Sequence, residues 1–175
     1  YFGPWVPHKT SALTKTGLEM AEFAKFFPQV QSGAVAVTRG LFLAPLTAAA
    51  VLLGLAISRL VVRPILRLVS TGLPVLLALV ALPPYGFYLA PDYRVHLILA
   101  VGGVVLVLLT LPAHRLPLRI WGVVVVTLAL AGVVLALRQF ALLHPLIVSL
   151  YGSPLAPGWG LATCVVGFAL LLFGG

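Results

Sequence analysis

The sequence predicts an all-α integral membrane protein, and three observations carry that fold class. The 175-residue chain is 62% apolar and only 8% charged, against roughly 25% charged residues in ordinary soluble domains. Its mean hydropathy is +1.18, and a chain this short has too little interior to hide so much apolar surface from water. Its basic residues, finally, punctuate the apolar runs, as the positive-inside rule requires of polytopic membrane proteins. The net charge of +8 therefore predicts no nucleic-acid partner, because that needs cations clustered on one soluble face.

Residues 1–34 form the one extended polar stretch. Tyr1-Phe2-Gly3-Pro4-Trp5 reads as the outer end of an apolar segment, so a sixth span ahead of Tyr1 is left open. Thr16-Gly17-Leu18-Glu19 fits the capping box and predicts a helix over about 17–27. Glu19, Glu22 and Lys25 make a narrow polar stripe on it, apolar residues cover the rest, and Pro28 is expected to end it. Such a helix lies in the membrane interface, apolar side down, or against the bundle, and its wide apolar side is a candidate contact surface.

Five spans follow, at about 35–58, 68–82, 95–111, 118–137 and 160–173. In the first, Pro45 is a candidate kink, and Ala50, Gly54 and Ser58 form a row of small residues that admits a neighbouring helix. The second is short for a hydrocarbon core of about 30 Å. Tyr85, Phe87, Tyr88 and Tyr93 mark an interfacial aromatic belt before the third. Gly132 and Ala136 make a second small pair in the fourth. The apolar segment 140–150 is too short to cross by itself and contains Pro145, so an interfacial or re-entrant segment is expected there.

Alternating spans put Arg59, Arg63, Arg67, Arg115 and Arg119 on one side, with no acid among them. That side is expected to be cytoplasmic, in the inner (plasma) membrane of a bacterium. Residues 1–34 and the 83–94 and 138–159 loops are then extracytoplasmic. All three acids, Glu19, Glu22 and Asp92, share that outer side.

Little catalytic or transport chemistry is legible. No HExxH, GxSxG or phosphate loop is present, and Ser153 has no orienting base. The centre of every predicted span lacks ionisable residues, and no internal repeat is visible, which argues against an ion-coupled carrier. Cys164 is the only cysteine, which excludes an intrachain disulfide. The basic loop at His114 and Arg115 is a topology signal or a site for a phosphate or lipid headgroup.

One constellation suggests a cofactor: His8, His96 and His144 fall on the outer side. Neutral imidazole ligates haem iron, chlorophyll magnesium or zinc, so His96 and His144 are candidate ligands for a pigment or haem. The expected function is a non-enzymatic accessory or scaffold subunit of a bacterial multi-subunit membrane complex, its partners being other membrane subunits and lipids. A membrane component of a transporter is the first alternative, and a pigment- or haem-binding subunit the second.

Overall fold

The computed structural model describes residues 1–7, 14–88, 90–152 and 154–173. His8 and Ser153, singled out above, lie outside the described residues, as does the C-terminal Gly174-Gly175. The chain is mostly helical and contains three helices long and apolar enough to cross a membrane: 39–60, 91–109 and 118–151.

A small cap comes first. Strands β1 (Pro4–Val6) and β2 (Lys15–Thr16) pair antiparallel. The capping box forms: the Thr16 N–H and hydroxyl donate to Glu19 Oε2 at 2.8 and 2.9 Å. The helix it introduces is shorter than the sequence suggests. It comprises α1 (Met20–Phe23) and a 3-10 turn over 24–26. Pro28 ends it as expected, the preceding Phe27 being extended, and also starts α2 (Pro28–Gln31). Proline lacks an N–H and has φ preset, so the first helical turn is where it costs least. The apolar side of α1 is not free as a contact surface either. Met20, Ala21, Ala24 and Phe27 are buried in the core together with Trp5 and Phe42.

The bundle is organised around α3 (Ala44–Leu60), which a 3-10 turn over 39–43 introduces and which packs on α5, α6 and α7. Pro45 stands in the first turn of α3 and so produces no kink. The predicted second span is split into α4 (Pro64–Ser70) and α5 (Gly72–Leu79), both apolar and together shorter than a crossing helix. Helix α6 runs from Arg94 to Leu109, after a 3-10 turn over 91–93.

Helix α7 (Leu118–Tyr151) departs most from expectation. It is one continuous helix of 34 residues, about 51 Å long at 1.5 Å per residue. The segment 140–150 is therefore neither re-entrant nor a separate interfacial piece. It continues the fourth predicted span straight through Pro145. A proline inside a helix costs about 3 kcal/mol. Burial of Phe140, Leu143 and Ile147 in the core shared with Trp5 and Met20 offsets that cost. Gly152 then ends the helix at φ 63°, its N–H donating to the Val148 carbonyl. Helix α8 (Trp159–Phe173) returns along α7 and β1, and is apolar but short.

Small residues set the helix spacing. A Cβ on Gly132 would stand 2.7 Å from the Ala48 Cβ and 3.3 Å from the Phe168 ring, so α3, α7 and α8 meet where a side chain is missing. A Cβ on Gly54 would likewise lie 2.7 Å from Thr110 Oγ1, and one on Gly103 2.9 Å from the Thr47 methyl. Gly167, by contrast, faces open space. Gly132→Val is expected to destabilise the detergent-solubilised chain by about 1–3 kcal/mol, the usual cost of overpacking. Gly167→Ala, in open space inside α8, should leave stability unchanged or raise it by up to about 1 kcal/mol through helix propensity. Equal effects of the two substitutions would refute the close α3–α7 approach.

Candidate functional site

The chemistry-bearing side chains collect at the two ends of α3. At the cap end, the 3-10 turns that introduce α3 and α6 stand beside the cap and enclose a cleft of about 610 Å³. Lys25, Gln31, Thr38, Arg39, Asp92 and Tyr93 line it. Backbone geometry holds the rim. The Thr38 N–H donates to Gln139 Oε1 at 2.9 Å, so a buried amide of α7 supports the extended segment leading into α3. Gly40 lets that lead-in rest on α6, since a Cβ there would reach 2.7 Å from Val95 and 3.1 Å from His96 Nδ1.

Charges in the cleft are paired. Arg39 Nη2 lies 3.4 Å from Asp92 Oδ2, and its guanidinium sits 5.4 Å from the centre of the Tyr93 ring. Glu22 Oε2 accepts from Lys25 Nζ at 2.7 Å and from the Tyr93 hydroxyl at 3.1 Å. Burial by itself would raise the Glu22 pKa, but the hydrogen bonds from Lys25 and Tyr93, with the nearby Lys25 and Arg39 charges, outweigh it and hold the carboxyl below its ordinary range. In Glu19 the Thr16 backbone hydrogen bond is the leading cause of a lowered pKa. Lys25 and Arg39 are thus matched by Glu22 and Asp92, and the cleft offers a balanced polar rim.

The two histidines proposed as ligands occupy different surroundings. His96 is buried against Tyr93, ring centres 5.1 Å apart, and neither ring nitrogen has a hydrogen-bond partner among the described residues. His144 packs on Phe140, and its Nε2 lies 2.9 Å from the Leu155 carbonyl. A carbonyl only accepts, so Nε2 carries the proton and is already engaged. His144 thus ties the 154–158 return to α7. Among the described residues no group of three or more His, Cys, Asp or Glu side chains is placed to hold a metal ion.

The basic loops meet at the other end of α3. Arg59 Nη2 donates to the Leu116 carbonyl at 2.7 Å, and its guanidinium lies 5.0 Å from the Trp121 ring centre. Arg67 donates to His114 Nδ1 at 2.9 Å and to the Val61 carbonyl at 3.0 Å. Arg63, Arg115 and Arg119 are exposed around them.

Sequence reasoning missed Gln139 and Trp121 as structural or site residues, and placed Tyr93 only in an aromatic belt. Gln139 carried a usable signal, being an amide next to an apolar run. The roles of Tyr93 and Trp121 depend on cations distant in the chain and left no local mark. No known protein family, curated protein or solved structure matches this chain.

Because Glu19 and Glu22 both have lowered pKa values in the folded cap, the stability they contribute is present above the ordinary carboxylate value of 4.5. It is lost as pH falls below that value and through the folded pKa. In a chain whose other tryptophans are changed to phenylalanine, emission from buried Trp5 should shift to the red over that range. The double variant Glu19→Gln, Glu22→Gln should lose most of that pH dependence. Emission that does not move on acidification would contradict the assignment.

Proposed function

We propose that this chain is a non-enzymatic accessory or scaffold subunit of a bacterial multi-subunit membrane complex. One observation carries this reading. Between the two charged ends, the buried polar side chains of the helices turn back on their own helix. Thr47 bonds the Leu43 carbonyl, Ser58 the Leu55 carbonyl and Thr110 the Val107 carbonyl. The centres of α3, α5, α6 and α8 carry no Asp, Glu, His, Lys or Arg, and in α7 the one such residue near the middle is Arg138, beside Gln139. Carriers and proton relays place such groups at mid-span, whereas interior packing by small residues is what a helix-assembling protein needs.

In this reading the arginine end faces the cytoplasm and the cap, residues 1–34, is extracytoplasmic. Five crossings then alternate along α3, α4–α5, α6, α7 and α8. The α4–α5 pair and α8, about 24 and 22 Å long at 1.5 Å per residue, cross where the bilayer thins locally. The part of α7 beyond Gln139 rises past the bilayer as a post for the cap. Partner subunits approach the exposed side of α6 at Ile98, Val101 and Val105, where Gly102 leaves open space.

A photoreactive residue at Val105, irradiated in native membranes, should yield a protein adduct of one discrete mass. The same residue at Val107, which is fully buried, should yield none. Lipid adducts alone at Val105, together with a stable monomer in mild detergent, would rule out the subunit reading.

A further inference from the structure

The arginine end adjoins a feature of a different kind. An apolar groove of about 370 Å³ runs between α3, α6 and α7 toward the turn over 111–115. Its walls include Val51, Leu55, Leu106, Leu109, Val124 and Leu128. Of its two lining hydroxyls, Thr110 is already spent on the Val107 carbonyl. The groove therefore suits a hydrocarbon chain and little else.

At its mouth the chemistry reverses. Leu116 lines the groove, and its carbonyl receives Arg59, one helical turn beyond Leu55. Arg59 has no carboxylate partner among the described residues, and its Nε–H makes no hydrogen bond. Trp121, stacked on the Arg59 guanidinium, leaves its Nε1–H unused as well. Arg115 and Arg119 are exposed and lie one and three residues from Leu116 in the chain, and every acid of the chain belongs to the cap end. Unspent buried donors are costly, and guanidinium groups match phosphate geometry better than any other side chain.

We propose that this end binds one anionic phospholipid, its phosphate held at Arg59 with Arg115 and Arg119 and one acyl chain lying in the groove. Charge and shape together select this occupant. A free phosphate would leave the groove unfilled, and a zwitterionic lipid would bring an ammonium group into a wholly cationic setting. The proposal needs only that the three long helices lie in a bilayer, and it is independent of any partner subunit.

Native mass spectrometry of the full chain in detergent tests it, with dioleoyl phosphatidylglycerol, dioleoyl phosphatidylcholine and glycerol phosphate as probes. Retention of phosphatidylglycerol should exceed that of phosphatidylcholine on the order of ten-fold, as expected when several arginines meet one anionic headgroup. Arg59→Gln should bring the two lipids close to parity. Thr127→Phe, an exposed groove position, should reduce retention while leaving every charge in place. Arg138→Gln, remote from the groove on α7, should leave the preference intact. Equal retention of both lipids would overturn the site, as would a preference that survives Arg59→Gln and Thr127→Phe or falls equally with Arg138→Gln. Displacement of the lipid by glycerol phosphate would assign a plain anion site instead. Failure of the chain to enter the membrane fraction would instead remove the bilayer premise.

Discussion

Close approach of α3 to its neighbours is the constraint on which the rest of the structure depends. Ala48 meets Gly132, Gly54 meets Thr110, and Gly103 meets Thr47. Each contact works because one partner contributes little or no side chain. Between apolar helices in lipid, hydrophobicity gives no net attraction, because acyl chains are as apolar as leucine. Shape must supply the association instead, and dispersion contacts fall off within an ångström of misfit. With α3 held centrally, its two ends become the places where the remaining elements gather.

The cap is one consequence. Trp5 is buried among Tyr1, Phe42 and Phe140 in edge-to-face contacts, with ring centres 5.7–6.4 Å apart. The Tyr1 hydroxyl reaches the Phe42 carbonyl at 2.7 Å, and the Gly158 N–H donates to the Trp5 carbonyl at 2.8 Å. Segments from both ends of the chain are thereby joined over the start of α3. Removal of the Tyr1 ring from water also pushes its phenol pKa upward, keeping it a neutral donor. The extension of α7 supplies one wall of this assembly, which explains why that helix outlasts its proline.

The division of charge is the other consequence. Acids and their cationic partners close the cleft at the cap end, while at the opposite end Arg59 and Arg67 bond carbonyls and a histidine, with Arg59 also against an indole. The first arrangement is internally balanced and so serves mainly to fasten α1 to the lead-ins of α3 and α6. The second leaves positive charge uncompensated beside an apolar groove. The asymmetry concerns available partners more than the number of cations.

Much of this was legible in the residues alone. Composition determined the apolar helical class, because burial of that much hydrocarbon admits few other outcomes. The capping box at Thr16 and Glu19, the small rows of α3 and α7, and the group Arg59, Arg63 and Arg67 without an acid nearby in the chain are local or periodic signals, and each reappears in the structure. Other features were decided only by tertiary packing. Pro28 and Pro145 both read as stops; the first does end one helical turn and also starts the next helix, while the second is carried through, because a proline's effect depends on which carbonyls need a donor and what its neighbours bury. The 140–150 segment looked too short because its length was counted without the helix it extends. The pairing of Arg39 with Asp92 and Tyr93, and of Arg59 with Leu116 and Trp121, joins residues more than fifty positions apart. No local pattern encodes such a meeting; it follows from how closely α3 is allowed to approach the helices around it.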